Sequence, residues 1–208
     1  MNKALNIAYS KLISFCIAIG LFTFFIHHPF PSRGIAYGAI VFLAMLVSWD
    51  KNLLKTIFGH AGSNLKLTSW IIFTLTVSLI TAAMLRNEAN LPLVPYSLTW
   101  FAPIAVLIGS MEELLFRGWL LSQFSGKQNL TGILFASLAH ASYKSLLFIS
   151  PYLIYSVDPW HLFAYTFLAG LFLGLSRVIS GSVWPALLAH TVFDIIIYGD
   201  QLTPWWVF

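Results

Sequence analysis

Charged side chains are scarce in this sequence: Lys, Arg, Asp and Glu together make up 9 % of its 208 residues. An ordinary soluble domain carries about 25 %. Hydrophobic residues account for 59 %, more than a water-soluble fold of this size can hide from solvent. Cysteine is nearly absent, and the lone Cys16 excludes an intramolecular disulfide and leaves the redox compartment unspecified. Long polar stretches are missing too. The breaks at His27–Pro29, Gly59–Asn64 and Arg86–Pro92 are of loop length, so no soluble domain fits between the apolar runs. No internal repeat is visible, and the chain reads as one domain over residues 1–208. Neither G-x-S-x-G nor H-E-x-x-H occurs, and Cys16 lies far along the chain from the histidines, so a covalent serine or cysteine route is unsupported.

What the sequence does contain is a succession of apolar runs, each long enough to cross a bilayer at roughly 17 to 25 residues. Spans are expected near Lys11–Ile26, Gly34–Trp49, Ser69–Leu85, Ser97–Phe124, Leu130–Ser150, Trp160–Ile179 and Val183–Tyr198. Lipid offers no partner to free backbone groups, and the alternation of a membrane barrel is missing. The expected fold is therefore all-α, a polytopic transmembrane helix bundle of about seven spans, with six to eight as the range. The first span is preceded by Lys3 and Lys11 as a secretory signal would be, but Phe25, His27, His28 and Pro29 stand where a cleavage site would need small residues. It is expected to remain as a helix of the mature protein.

A net charge of +4 raises the question of nucleic acid, but the basic residues are spread among loops and line no face, so no nucleic-acid partner is expected. Their distribution bears on orientation. With the N-terminus in the cytoplasm, Lys3, Lys11, Lys51, Lys55, Lys66, Lys127 and Arg177 fall inside, and Arg33 and Arg86 outside. The expected topology is N-in, with Trp160, Trp205 and Trp206 as aromatic anchors at the outer interface.

Six ionisable residues do not belong in lipid: Glu112, Glu113, Arg117, His140, His190 and Asp194. An acidic residue at the centre of a membrane helix costs about 2.5 to 3.5 kcal/mol. Glu113 and Arg117, four apart on one helix, can offset part of that as an ion pair and so read as structural support. Glu112 projects about 100° away and misses Arg117. It needs another partner. His140 lies on the next span, and His190 and Asp194 share a face of the last one. In the N-in topology Glu112, His140 and His190 lie about 18, 15 and 10 Å from the cytoplasmic ends of their helices, so they can meet at one level. A set of satisfied interhelical hydrogen bonds is the plainer reading. Such bonds average only about 0.6 kcal/mol in membranes, too little to account for several costly groups at once.

The chemistry that suits this constellation is addition of water to a carbonyl. A carboxylate in an apolar site is a strengthened general base, and a neighbouring histidine can position or deprotonate the water. A second His/Asp pair can then stabilise the oxyanion. Glu112, His140, His190 and Asp194 could also bind zinc, but no metal or other cofactor is expected. His27, His28, His60 and His161 read as ordinary residues of loops and interfaces. Lys144, one turn beyond His140, either snorkels toward the outer interface or pairs with an acidic group of the site.

The segment Glu112–Gly118 reads E-E-L-L-F-R-G. It resembles the E-E-x-x-x-R signature of the CAAX prenyl protease and bacteriocin-processing family of intramembrane glutamic endopeptidases. The family's third motif, His followed four positions later by Asn or Asp, matches His190 and Asp194. Its second, F-x-x-x-H, is shifted: Phe135 stands one position early and Ala136 occupies the usual Phe site before His140. The resemblance covers about residues 97–198. It implies that Glu112 and His140 activate water, that His190 and Asp194 form the oxyanion site, and that Glu113 and Arg117 support the geometry. It further implies a membrane-associated peptide or protein as substrate. The expected location is the plasma (inner) membrane of a prokaryote, as an integral protein. Outside that resemblance two other classes stay open. One is a noncatalytic immunity or peptide-binding factor using the same polar core. The other is a proton-coupled transporter, for which the paired repeats with broken helices are missing.

Overall fold

The computed structural model describes residues 3–49, 52–124, 129–149 and 158–200. The side chains of residues 3–9 are not part of that description. Lys51, Lys127, Trp205 and Trp206, invoked above for orientation and anchoring, lie outside the described residues.

The chain is all-α, as expected. Its helices are α1 (Lys3–Phe25), α2 (Arg33–Ser48), α3 (Leu53–Phe58), α4 (Asn64–Glu88), α5 (Phe101–Glu113), α6 (Asn129–Leu147), α7 (Pro159–Ser180) and α8 (Trp184–Tyr198). A π-helical stretch, Leu114–Leu120, continues directly from α5. Seven of these correspond to the spans read from the sequence. The short α3 was not foreseen, because six residues carry too little periodicity to be recognised. The π-helical stretch was not foreseen either, since nothing in a run of apolar residues marks a change from i→i+4 to i→i+5 bonding.

Among the described residues, two helices are long and apolar enough by themselves to cross a membrane: α4 with 25 residues and α7 with 22. At 1.5 Å per residue they extend about 37 and 33 Å, against a hydrocarbon core of about 30 Å. The outer faces of other helices are apolar as well. Ile13, Ile17 and Phe24 on α1, Val41 and Met45 on α2, and Leu107 and Met111 on α5 are each more than half exposed. Such a surface would be an aggregation hazard in water and is the natural contact with lipid.

The helix ends follow local rules. Asp158 caps α7, its Oδ1 accepting from the Trp160 and His161 backbone N–H groups at 2.8 and 3.3 Å. His161 is 74 % exposed, in keeping with an ordinary solvated residue. Pro185 occupies the first turn of α8, where a missing N–H costs nothing.

The helices gather into two compact units, each assembled from separate stretches of chain. The first comprises Met1–Thr56 and Trp119–Leu171. In it α1 packs along α2, and Phe15 of α1 stacks on Trp119 with ring centroids 5.6 Å apart. The second comprises Ile57–Gly118 and Phe172–Val207. In it α8 packs against both α4 and α5. The turn before α4 is tied to the turn before α8: Gly59 pairs with Ser182, and the Val183 N–H donates to the Phe58 carbonyl at 3.2 Å. Gly59 and Gly181 have φ of 72° and 76° there, and a side chain on either would strike the opposing backbone.

Candidate active site

Five of the six ionisable residues singled out from the sequence lie in the second unit, on α5, the π-helical stretch that continues it, and α8. All but His190 are almost wholly buried, Glu113 at 0 % and Arg117 at 1 % exposure, Glu112 at 4 % and Asp194 at 5 %.

Their geometry is a chain of contacts centred on His190. Arg117 Nη1 donates to Glu113 Oε1 at 3.0 Å, which is the i,i+4 pair the helix spacing predicts. The same oxygen lies 2.8 Å from His190 Nδ1. A carboxylate paired with a guanidinium is ionised and can only accept, so Nδ1 carries a proton and donates it to Glu113. The other ring nitrogen, Nε2, faces Glu112 Oε2 at 3.9 Å and Asp194 Oδ1 at 3.6 Å. Both distances exceed a hydrogen bond, yet each keeps a carboxylate beside the ring nitrogen. An oxygen lying to one side of Nε2 can therefore touch the ring and a carboxylate together.

This assigns Glu113 more than the sequence did. Its carboxylate neutralises Arg117 and also orients His190, in the way a carboxylate fixes tautomer and direction for a working histidine. It has a chemical consequence for His190. With Nδ1–H committed to Glu113, Nε2 donates a hydrogen bond only when the ring holds its second proton, and otherwise it accepts.

Gly109 is a site residue that sequence reasoning missed. It sits one turn before the two glutamates on the face of α5 that meets α8. A Cβ there would collide with Asp194 Oδ2 and would come within 3.2 Å of His190 Cδ2. The absent side chain is what lets the Asp194 carboxylate lie against the α5 backbone. A small residue on a membrane helix at i−3 and i−4 from two buried acids is the signal that could have found it. Beside it, the Ser110 and Thr191 hydroxyls stand 3.4 Å apart, linking the same two helices.

His140 lies in the first unit, on α6, and is 3 % exposed. It shares its helix face with the buried Ile133, Ala136 and Ser137, and its ring stacks on Tyr143 at 6.1 Å. The displaced second motif has a local explanation in the same helix. Ala136 occupies the buried face, while Phe135 is turned aside and packs on Phe124 at 5.6 Å. Lys144 is half-buried one turn on.

Among the described residues, no group of three or more His, Cys, Asp and Glu side chains has the geometry to hold a metal ion. Comparison with known families gives one match: residues 94–196 fit the family model described as type II CAAX prenyl endopeptidase Rce1-like. No curated protein and no solved structure matches the chain significantly.

Proposed function

We propose, for a chain that belongs through its residues 94–196 to the Rce1-like type II CAAX prenyl endopeptidases, that it hydrolyses a peptide bond in a membrane-associated protein or peptide by a glutamate-activated water. Family membership makes it a membrane-embedded protease. The finer mechanism is the present proposal. The observation that carries it is the buried line from Arg117 through Glu113 to His190, with Glu112 and Asp194 on the far side of the ring.

In this reading Glu112 takes the proton of a water as it adds to the scissile carbonyl. His140 assists Glu112, an assignment that rests on the motif alone. His190, oriented by Glu113 and holding its second proton on Nε2, and Asp194 as the neutral acid donate hydrogen bonds to the carbonyl oxygen as charge develops. Glu113 and Arg117 keep their geometry through the cycle, since each is the other's counter-ion in a region where an unpaired charge costs about 3 to 5 kcal/mol. Proton transfer back from Glu112 to the departing amine completes hydrolysis without a covalent intermediate. The N-in topology is supported by the lysine asymmetry of the sequence, and in this reading the site opens to the cytoplasmic side of a prokaryotic plasma membrane.

The test is turnover of a library of membrane-tethered peptides by the protein reconstituted in vesicles, read by mass spectrometry. Glu112→Gln keeps size and hydrogen bonding but removes the base, and is expected to lower kcat by about 10²- to 10⁴-fold in a folded protein. A Glu112→Gln variant with most of its activity would sink the proposal. Chelators are expected to leave the rate unchanged. Loss on chelation with recovery on zinc would transfer the water-activating role to a metal.

A further inference from the structure

The backbone of α8, which carries His190 and Asp194, is held by a helix that lies outside the family-matched segment. On α4, positions 74, 78, 82 and 86 recur every fourth residue and so form one stripe. Thr74, Ala82 and Arg86 in that stripe are buried, at 0 %, 0 % and 1 % exposure. The stripe reaches across to the backbone of α8. Thr74 Oγ1 donates to the Pro185 carbonyl at 3.0 Å, and Ser78 Oγ donates to the Ala189 carbonyl at 2.6 Å. Arg86 Nη1 donates to the Ile196 carbonyl at 2.8 Å, and both Nη atoms hold the Asp200 carboxylate beyond the helix end.

These acceptors are not random. The Ala189 carbonyl belongs to the peptide unit whose nitrogen is that of His190, so Ser78 holds the plane from which His190 springs. Ile196 lies two residues past Asp194. The His190–Asp194 segment is thus fixed on both sides, by Ser78 and by Arg86. The Pro185 and Ala189 carbonyls accept from the residue four positions on and have a second lone pair to offer, while Ile196 lies in the last turn, where carbonyls lack an intrahelical donor, so these bonds cost α8 none of its own. Apolar faces in lipid slide and rotate with little penalty, because lipid and leucine are equally apolar. A directional bond to a particular carbonyl removes that freedom.

We infer that Ser78, supported by Thr74 and Arg86, is a positioning residue: it sets the rotation of α8 about its axis and so the aim of His190 and Asp194 at the α5 glutamates. The inference rests on the reading of His190 as a group of the site. Thr74 is the weaker member, because its one hydroxyl proton is shared with the Trp70 carbonyl of its own helix at 2.8 Å. Ser78 carries the larger part of the effect.

The experiment pairs kinetics with a measurement that does not need turnover. In reconstituted protein labelled with ¹⁵N-histidine, the His190 ring signals report its contact with Glu113, and His190→Gln assigns them. Ser78→Ala is expected to lower kcat about tenfold with KM changed less than twofold, as a misplacement well under 1 Å would, and to shift the His190 signals. Ser78→Thr, which restores a hydroxyl, is expected to recover both. Ser78→Cys keeps the volume with a far weaker donor and is expected to behave as the alanine variant, which covers the case that Ser78→Ala does not fold.

A Ser78→Ala or Ser78→Cys protein of lowered thermal stability but unchanged kcat and unchanged His190 signals would overturn the inference and leave Ser78 a packing residue. Failure of Ser78→Thr to recover either readout would overturn it as well. If no peptide is cleaved by the wild type and the His190 signals still move in Ser78→Ala and return in Ser78→Thr, the positioning role stands while the protease reading falls.

Discussion

Two helix pairs in this molecule are held together in opposite ways. Between α1 and α2 the buried side chains are apolar and mostly small: Ala18, Ile19, Ala36, Ala39 and Leu43. Among the described side chains of α1 the buried hydroxyl is that of Thr23, which bonds back to the Ile19 and Gly20 carbonyls of its own helix at 3.0 Å each. Between α4 and α8 a buried threonine, a half-buried serine and a buried arginine all donate to backbone carbonyls of the partner helix. The first pair carries none of the ionisable groups of the site, and the second carries two. Apolar contact is enough to keep helices adjacent in lipid. Fixing the rotation of a helix that must aim two side chains takes directional bonds.

The comparison can be broken most forcefully at Asp194, where the held helix meets the proposed chemistry. Asp194→Leu is expected to lower kcat by about 10²- to 10³-fold, the usual cost of losing an oxyanion donor. Asp194→Asn is expected to stay within about tenfold of wild type, because an amide can donate where a carboxylic acid does. If the two variants are equally inactive in folded protein, Asp194 works instead as an ionised partner that holds His190 as an imidazolium.

Next in size is Gly109→Ala, which pushes the Asp194 carboxylate away from α5 and is expected to cost about 10²-fold in kcat. The same change at Gly38 of α2, where an added Cβ meets nothing within 4 Å, is expected to leave activity unchanged. Equal losses at the two glycines would mean that helix packing in general, and not the α5–α8 contact, governs the rate.

Smaller again is the effect of acid on the far end of α8. The hydrogen bond from Arg86 holds the Asp200 carboxyl below the ordinary carboxylate range. A depressed carboxylate contributes stability above its unfolded value, and that contribution disappears as pH falls through the lower folded value. Thermal stability of the solubilised protein is therefore expected to drop below about pH 4. Asp200→Asn should flatten that part of the profile, and an unaltered profile would show that the Arg86 contact is not what acid releases. The smallest effect is expected at Thr23→Val, under about 1 kcal/mol with activity unchanged, because its hydroxyl only back-bonds within α1. A kinetic effect there as large as at Ser78 would erase the distinction between the two pairs.

Much of the molecule can be read from the sequence because the bilayer is a severe solvent. Scarce charge and long apolar runs leave only helices, and the three acids, the arginine and the two histidines stand out against that background by their cost alone. The i,i+4 spacing of Glu113 and Arg117 foretells their bond, and that of His190 and Asp194 their shared face, since both follow from the pitch of one helix. Arg86 shows where such reasoning stops. Its position among polar residues reads as a loop charge at the outer interface, whereas the structure buries it in the last turn of α4 with Asp200, 114 positions along the chain, as its partner.

The sequence by itself determined that this is an all-α membrane chain and which ionisable residues are out of place in it, because those facts depend on composition and on the period of a single helix. Only the tertiary structure decided that Glu113 serves His190 as well as Arg117, that Gly109 makes room for Asp194, and that α4 holds α8 through its carbonyls. Each of these joins residues far apart in the chain, the first through side chains on two helices and the others through an absent side chain or backbone atoms. Such partners leave no periodic trace in a string of residue names.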